Sequence, residues 1–591
     1  MIGMVESGKF RKDIDGLRAL AVVVVILFHF GILPNGYLGV DVFFVISGYL
    51  ITGIIFKEIG EGRFSVVRFY VRRIRRIIPL SLFIGVVSLG IGMATMLPDD
   101  LENLSQSVIA TNLFANNILQ LITTRNYWDV ANEYKPLMHT WSLGIEEQYY
   151  FLYPFLFLFA GGKRKAWLLP LLTALTVASL ALYLSPAPEP RKFYLIFYRF
   201  FELSSGGIAA ILLKNRLLTH GFTPLFLAGL AAVLCIDTGF IPHEALLLTT
   251  VLLSLGLLVS SNGRSAITAS VLENRPVVWI GAISFSMYMW HQVLLAFARY
   301  FMFQHLGPAQ LASIFGLTVV LSILTYYFVE QPFRKKGLVG TKALLITVGS
   351  VFLAADAAAI YLYRKGGVIR DVPELDIARD QAERGLHKKY RTRVYALDRA
   401  FDGSGSLKVL VIGDSYARDW VNVLLESKFG KDLDISYIYD PFAHQEARQR
   451  ADAADVIFYS RGKRENVAKL GLDEAKLFIV GTKNFGTSSG FFYNHRAGDY
   501  FGQRARVEKA YFDHNEDLQR DWGSAYLNYI AKVIDKEGMV PVFTPSGKFI
   551  SQDCMHLTQA GAVYFAGIFE SDLGAIFSAV EKNAAVRPET E

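Results

Sequence analysis

The sequence predicts a two-part molecule: a multi-span α-helical membrane domain followed by an extracytoplasmic α/β domain with a parallel sheet. Three observations predict it. The 591 residues are 52% hydrophobic and 14% aromatic, and only 19% are charged, a membrane-protein profile. Apolar runs of spanning length recur up to residue 363. Beyond that point the runs become short and alternate with helical patterns.

The apolar runs lie at 17–33, 38–56, 77–97, 141–160, 166–185, 193–213, 221–238, 244–260, 277–300, 310–329 and 342–363. Each is long enough to cross a hydrocarbon core, which gives about eleven spans. A further amphipathic stretch, 101–122, carries Asn112, Asn116, Asn117 and Gln120 and reads as a surface or re-entrant helix. No small-residue cleavage pattern follows the first run, so it reads as a permanent span.

Lysine and arginine set the orientation. Lys9, Arg11 and Lys12 precede the first run, and Arg63, Arg68, Arg72, Arg73, Arg75 and Arg76 follow the second. "GGKRK", "KNR" and "PFRKKG" continue the alternation, with "EPRK" as an exception. The N-terminus is therefore expected in the cytoplasm, and an odd span count puts everything after 363 outside.

The net charge of +7 resides in these short loops, which argues against a nucleic-acid partner and for contact with membrane lipids. The two cysteines, Cys235 and Cys554, lie far apart, and no paired-cysteine metal motif occurs. No disulfide and no metal are expected.

From Leu407 onward, "LKVLVIGD", "DVIFYS", "KLFIVG" and "MVPVFTP" read as buried parallel strands between helices. Residues 366–404 are charged and read as a linker or small extension.

Several polar residues sit where hydrocarbon makes them costly. His29 follows Arg18 by eleven residues; at 100° per residue both share one helix stripe, about 16 Å apart along the axis. Four arginines crowd "VRRIRRIIPL", suited to headgroups or to a phosphate-rich ligand. Glu146 and Glu147 head an apolar run and, about 100° apart, cannot both face one pocket. Arg199 and Glu202, three apart, read as a structural ion pair.

"FRKDIDGLRALAVVVVILFHF", "GYLGVDVFFVISGYLITGII", "RRIRRIIP", "HTWSLGIEEQYYFLYP", "ISFSMYMWHQ" and "YYFVEQPFRKKG", in this order, resemble the acyltransferase 3 family of bacterial membrane acyltransferases over about residues 9–337. The resemblance implies acyl transfer across the inner membrane, usually of acetyl from cytoplasmic acetyl-CoA to an extracytoplasmic sugar, with no bound cofactor. Carried over by motif, it implies functional roles for His29, for Glu146 or Glu147, and for Arg18 with candidates among Arg72, Arg73, Arg75 and Arg76 on the acyl-donor side.

In the outer part, "LKVLVIGDSYARDW" places Ser415 at a strand-to-helix turn, where helix N–H groups can stabilise an oxyanion. In "SQDCMHLTQAGA", Asp553 lies three residues before His556, so the carboxylate can fix the imidazole tautomer while the other ring nitrogen reaches a serine. Thr558 reads as a helix cap. Strand–GDS and DxxHLTxxG resemble the SGNH hydrolase fold over roughly 405–580. Where that family has Gly-x-Asn-Asp, this chain has only "VGTKNFG", leaving Asn484 and Gly481 as oxyanion candidates. Cys554 reads as a packing residue.

The expected domains are 1–337, the acyltransferase 3 membrane domain; 338–365, an additional transmembrane span; 366–404, the linker or extension; and 405–591, the SGNH-like domain. Together the resemblances imply a multi-pass bacterial inner-membrane O-acetyltransferase with a periplasmic C-terminal domain. Its partners would be acetyl-CoA and a surface polysaccharide or its lipid-linked precursor, such as O-antigen, other lipopolysaccharide glycan, exopolysaccharide or peptidoglycan. An esterase removing acyl groups is one alternative. A transporter or flippase is the other, for which paired broken half-repeats would be expected, and none is evident.

Overall fold

The computed structural model describes residues 11–123, 132–159, 167–212, 222–237, 239, 241–260, 266–303, 306–335, 337–381, 385–403 and 407–586. Lys9, "GGKRK" and "KNR" lie outside the described residues. The membrane part is a bundle of α1 (Lys12–His29), α2 (Gly39–Gly60), α3 (Val66–Thr95), α4 (Pro98–Asn112), α5 (Asn116–Thr123), α6 (Trp141–Phe159), α7 (Leu168–Leu184), α8 (Ile196–Leu212), α9 (Thr223–Cys235), α10 (His243–Ser260), α11 (Arg275–Phe297), α12 (Pro308–Thr325) and α13 (Thr341–Arg364).

Each of the eleven apolar runs is helical, but among the described residues only six helices are long and apolar enough to cross a membrane. The bent pair Gln559–Ile568 and Glu570–Lys582 would make a seventh, yet Ala562, Phe565 and Phe569 are buried in the core of the outer domain. The shortfall has plain causes. α1 carries Lys12, Asp13, Asp15 and Arg18, α6 carries Glu146, Glu147 and Gln148 in succession, and α7, α8 and α9 are only 17, 17 and 13 residues long.

Small residues let the helices touch. A Cβ on Gly48 of α2 would lie 1.7 Å from the Leu203 carbonyl oxygen of α8, and one on Gly281 of α11 would lie 1.9 Å from the Asp15 carbonyl oxygen of α1. Beside the first contact, Arg199 bonds Asp41 at 2.7 Å and Glu202 at 2.9 Å, all three buried.

Within the helical bundle, the sequence expectations differ from the structure in two places. The arginine-rich "loop" before the third span is the first part of α3 itself. The stretch 101–122, expected as a surface or re-entrant helix, forms α4 and α5, and only the surface alternative fails: Asn112, Asn116, Asn117 and Gln120 are buried. Their amides tie neighbouring segments together, Asn112 to Asp356 at 2.7 Å, Asn116 to the Leu137 carbonyl at 2.8 Å and Asn117 to the Tyr194 carbonyl at 2.9 Å. Polar residues in a bundle interior are tolerated when each finds such a partner.

The C-terminal part, called the outer domain after its expected location, is an α/β domain. Its parallel sheet orders β2 (Leu433–Ile438), β1 (Leu407–Ile412), β3 (Val456–Ser460), β4 (Leu477–Val480) and β6 (Tyr526–Leu527). "MVPVFTP" is a correction: Met539–Pro541 (β7) pairs antiparallel with Arg504–Arg506 (β5) in a separate two-stranded sheet. The segment 366–403 is not a loose tether. Val368, Val372, Leu375, Ile377 and Val394 enter the outer core.

The two parts are docked. Arg370 donates to the Met93 and Met96 carbonyls at 2.9 and 3.0 Å, and Asn494 to the Thr95 carbonyl at 2.9 Å. Gly490 sits so close to Tyr300 that a Cβ there would lie 2.2 Å from the ring. The outer domain therefore rests on the ends of α3, α4 and α11.

Candidate functional site

Within the membrane bundle a cavity of about 150 Å³ is lined by Arg18, Arg73, Arg76, Ser47, Glu146 and Tyr150, and closes against Ser142 and Tyr288. Its remaining wall is apolar, including Phe43, Ile51 and Phe285. The arginines reach it because Arg18 sits on α1 and Arg73 and Arg76 sit one turn apart on α3. Arg18 also donates to Asp15 at 3.2 Å. Glu146 accepts hydrogen bonds from Ser47 and, at 3.3 Å, from Tyr150.

The structure separates the sequence candidates. Glu147, one residue on, does not line the cavity. Arg72 pairs with Glu58 at 3.0 Å. Arg75 is spent on the segment before α13, donating to the Phe333 and Val339 carbonyls at 2.8 and 2.9 Å.

Behind Tyr288, three imidazoles gather. The His29 and His291 ring centroids are 5.1 Å apart, His139 and His291 are 5.3 Å apart, and His139 lies 5.1 Å from the Tyr288 ring. Tyr288 links the cavity to this cluster, with its hydroxyl 2.7 Å from Ser142 Oγ and donating at 2.8 Å to the His139 carbonyl. Arg18 and His29 thus sit at opposite ends of α1, one at the cavity and the other at the cluster. His139 and His291 lie inside "HTWSLGIEEQ" and "SMYMWHQ", and sequence reasoning missed them. The available signal was the cost of a histidine in an apolar span.

The outer site is built at the end of β1. Gly413, at φ +124°, turns the chain, and the Asp414 carboxylate caps the next helix, α14 (Ser415–Glu426), by accepting from Tyr416 N–H at 3.0 Å. Ser415 is 3% exposed, and its hydroxyl has no hydrogen-bond partner among the described residues.

Asp553 Oδ2 accepts from His556 Nδ1 at 2.7 Å and from Arg391 at 3.2 Å. Asp553 Oδ1 accepts from the His556 backbone N–H at 2.7 Å. Burial alone would raise this carboxyl; the His556 contacts and Arg391 outweigh it and hold it well below the usual carboxylate range. Thr558 caps the following helix, α15 (Gln559–Ile568), accepting from Gly561 N–H at 3.0 Å.

Helix α14 and the Asp553–His556 loop are fastened to each other. Asp419, one turn beyond Ser415, accepts from the Leu557 N–H at 3.0 Å. Asp419 also pairs with Lys483 at 2.8 Å, both fully buried. Burial opposes the charge on Asp419, but Lys483, His556 and Arg418 hold its carboxyl below the ordinary range. Sequence reasoning missed Arg391, Asp419 and Lys483, because their roles depend on contacts across long chain separations.

The oxyanion candidates are committed elsewhere. The Gly481 N–H bonds the Leu527 carbonyl at 2.9 Å, extending the sheet, and the Asn484 side chain bonds Gly486 and accepts from Glu508 N–H at 3.1 Å. Cys554 is buried beside Ser489, and burial pushes its thiol up to about 12. Among the described residues no three His, Cys, Asp or Glu side chains are arranged to hold a metal ion.

Asp553 and His556 line a small cleft with Arg391 and Gln552, and its other wall is Asp99 and Asp100 at the start of α4. Ser415 does not line this cleft. Tyr300, three residues past α11, donates to Asp100 at 2.6 Å. The dyad therefore opens onto the membrane domain, above the helix that carries His291.

A helical membrane domain with an arginine-lined interior cavity and an intramembrane histidine cluster, capped by an α/β domain, is the architecture on which the comparisons fall. The chain belongs to the acyltransferase 3 family, whose model, described as an acyltransferase domain, matches residues 11–327. It is similar to a peptidoglycan O-acetyltransferase of Listeria monocytogenes, at 30% identity over 56% of this chain and 57% of that one. It is also similar to a protein of Staphylococcus aureus named provisionally an O-acetyltransferase, at 26% identity over 80% of this chain and 87% of that one. A Bacillus subtilis protein named provisionally a peptidoglycan O-acetyltransferase is 28% identical over 56% of each chain. The chain thus spans little more than half of the Listeria and Bacillus relatives. No solved structure matches it.

Proposed function

We propose that the chain is a membrane O-acyltransferase that moves an acetyl group from cytoplasmic acetyl-CoA to a hydroxyl of an extracytoplasmic surface polysaccharide. The donor's phosphates would meet Arg18, Arg73 and Arg76, whose planar forks suit phosphate. The thioester arm would extend past Glu146 towards Tyr288 and the histidines. His29 would act as the base for transfer inside the membrane domain. Ser415, activated by His556 and Asp553 in an SGNH-like domain, would take the acyl group as an ester and pass it to the sugar hydroxyl.

The single observation carrying this reading is the cleft shared by Asp553 and His556 with Asp99 and Asp100. An independent hydrolase would have no reason to open its dyad onto a membrane bundle. About eleven spans in the inner membrane, with a cytoplasmic N-terminus and an extracytoplasmic outer domain, fit the charge distribution. The names of the relatives favour peptidoglycan over O-antigen or other lipopolysaccharide as acceptor. The test is mass spectrometry of peptidoglycan and of other surface glycans from cells with and without the gene. Loss of O-acetyl from one glycan is the expected result. Unchanged acetylation of every glycan would refute transfer, and a rise would favour an esterase.

A further inference from the structure

Tyr300 is buried at the joint between the two domains, only 2% exposed. It follows His291 by nine residues, in a π-helical turn, Ala298–Met302, that continues α11. Such local widenings of a helix are frequent at functional sites. One helical run therefore carries His291 at the histidine cluster and Tyr300 at the outer domain.

Tyr300 meets the outer site from two sides. On the first, its hydroxyl donates to Asp100 at 2.6 Å and accepts from the Leu97 N–H at 3.0 Å. Asp100 belongs to the wall that faces Asp553 and His556, and Leu97 belongs to the hydrophobic core of the outer domain. On the second side, the Tyr300 carbonyl accepts from Ser488 Oγ at 3.1 Å, and the ring leaves no room for a Cβ on Gly490. Ser489, between these two, donates to the Ser551 carbonyl at 3.1 Å, and Ser551 Oγ donates to Asp553 Oδ1 at 3.3 Å. With its hydroxyl and its carbonyl both held, the ring is fixed. Polar groups enclosed in this way are costly to leave unmatched, which favours one closed geometry.

We propose that Tyr300 is a positioning residue for acyl transfer, holding Asp553 and His556, and with them Ser415, in one register over the helix that carries His291. This rests on the relay proposed above and adds no chemical step to it. Transfer between two centres depends on their relative placement, and a shift of about 1 Å can cost on the order of 100-fold in rate. The geometry within the outer site is held separately, by Asp553 on His556 and by Asp419 on the Leu557 N–H. Loosening the joint should therefore slow the loading of Ser415 from the membrane domain far more than its reaction with a small ester supplied from solution.

The test gives labelled acetyl-CoA, without glycan, to detergent-solubilised full-length protein and quenches in acid. The initial rate of label on the Ser415 peptide is compared with the rate of hydrolysis of a small activated acetyl ester by the same preparation. Tyr300→Phe keeps the ring and removes the hydroxyl. It should lower loading about tenfold to a hundredfold, and hydrolysis by no more than about threefold. Gly490→Ala, which presses a methyl group against the ring, should do the same. Added to Tyr300→Ala, which removes the ring, it should cost less than about twofold more. If Tyr300→Phe does not accumulate, the Gly490→Ala series carries the same comparison. Loading within about twofold of wild type in Tyr300→Phe, loading and hydrolysis falling together, or an equal cost of Gly490→Ala with and without the ring would overturn the assignment. A wild type that hydrolyses the ester but gains no label from acetyl-CoA would refute the relay itself, and this assignment with it. A labelled wild type insensitive to Tyr300→Phe would refute only the role of Tyr300.

Discussion

Asp553→Asn isolates the contribution of the outer dyad. The carboxylate accepts the His556 backbone N–H through Oδ1 and His556 Nδ1 through Oδ2. An asparagine oxygen can keep the first bond, so the turn should survive. Its amide nitrogen then faces His556 Nδ1 and Arg391, and a donor there forces the imidazole into the opposite tautomer. The other ring nitrogen then carries the hydrogen and cannot take the proton of Ser415. By comparison with other serine triads this wrong-tautomer penalty is about 10⁴-fold, or ~5.5 kcal/mol of barrier. The assay is hydrolysis of a small activated acetyl ester by purified full-length protein at pH 7, with thermal unfolding measured in parallel. The native carboxyl lies below its ordinary value of 3.8, so its stabilisation is present above about pH 3.8 and lost as pH falls through the folded value. Wild type and variant should therefore converge in stability only in strong acid. A variant that hydrolyses the ester at more than about a tenth of the wild-type rate would refute the tautomer argument.

In the membrane cavity, Glu146→Gln should lower glycan acetylation by tenfold or more, while Glu147→Gln should fall only a few-fold, both read by glycan mass spectrometry at matched protein levels. Arg76→Ala should raise the acetyl-CoA KM several-fold. Arg75→Ala should instead lower thermal stability by about 1–3 kcal/mol, because Arg75 satisfies carbonyls rather than facing the cavity. Cys554, with its thiol pushed up to about 12, should resist iodoacetamide at pH 8 in the folded protein and react after denaturation, as read by peptide mass spectrometry.

The helical bundle was legible because hydrophobic length and basic loops report directly on membrane helices. The interior cross-links were not. Asn112 and Asn116 look like surface residues until Asp356 and Leu137, far along the chain, supply their partners. β2 escaped for a similar reason. "LDISYI" has polar residues at alternate positions, but Asp434 and Ser436 are buried and matched by the Gly403 N–H and the Arg399 carbonyl. The dyad could be read locally, since Asp553 and His556 are three residues apart. Arg391 joins it from a segment whose charge suggested a tether. In the membrane, His29 and Glu146 stood out by type and motif, whereas the proximity of His139 and His291 to His29 depends on helix packing that no local pattern encodes.

In the proposed relay, acyl groups pass from the membrane domain to Ser415. It is tested most directly by supplying labelled acetyl-CoA to inverted vesicles containing the full-length chain with an intact dyad and no glycan acceptor, and quenching the reaction in acid. The Ser415 peptide is then recovered by mass spectrometry, with and without His29→Ala. Labelled acetyl ester is expected on Ser415 when His29 is present and none when it is replaced. Label on Ser415 without His29, or normal glycan acetylation by a Ser415→Ala chain, would contradict it.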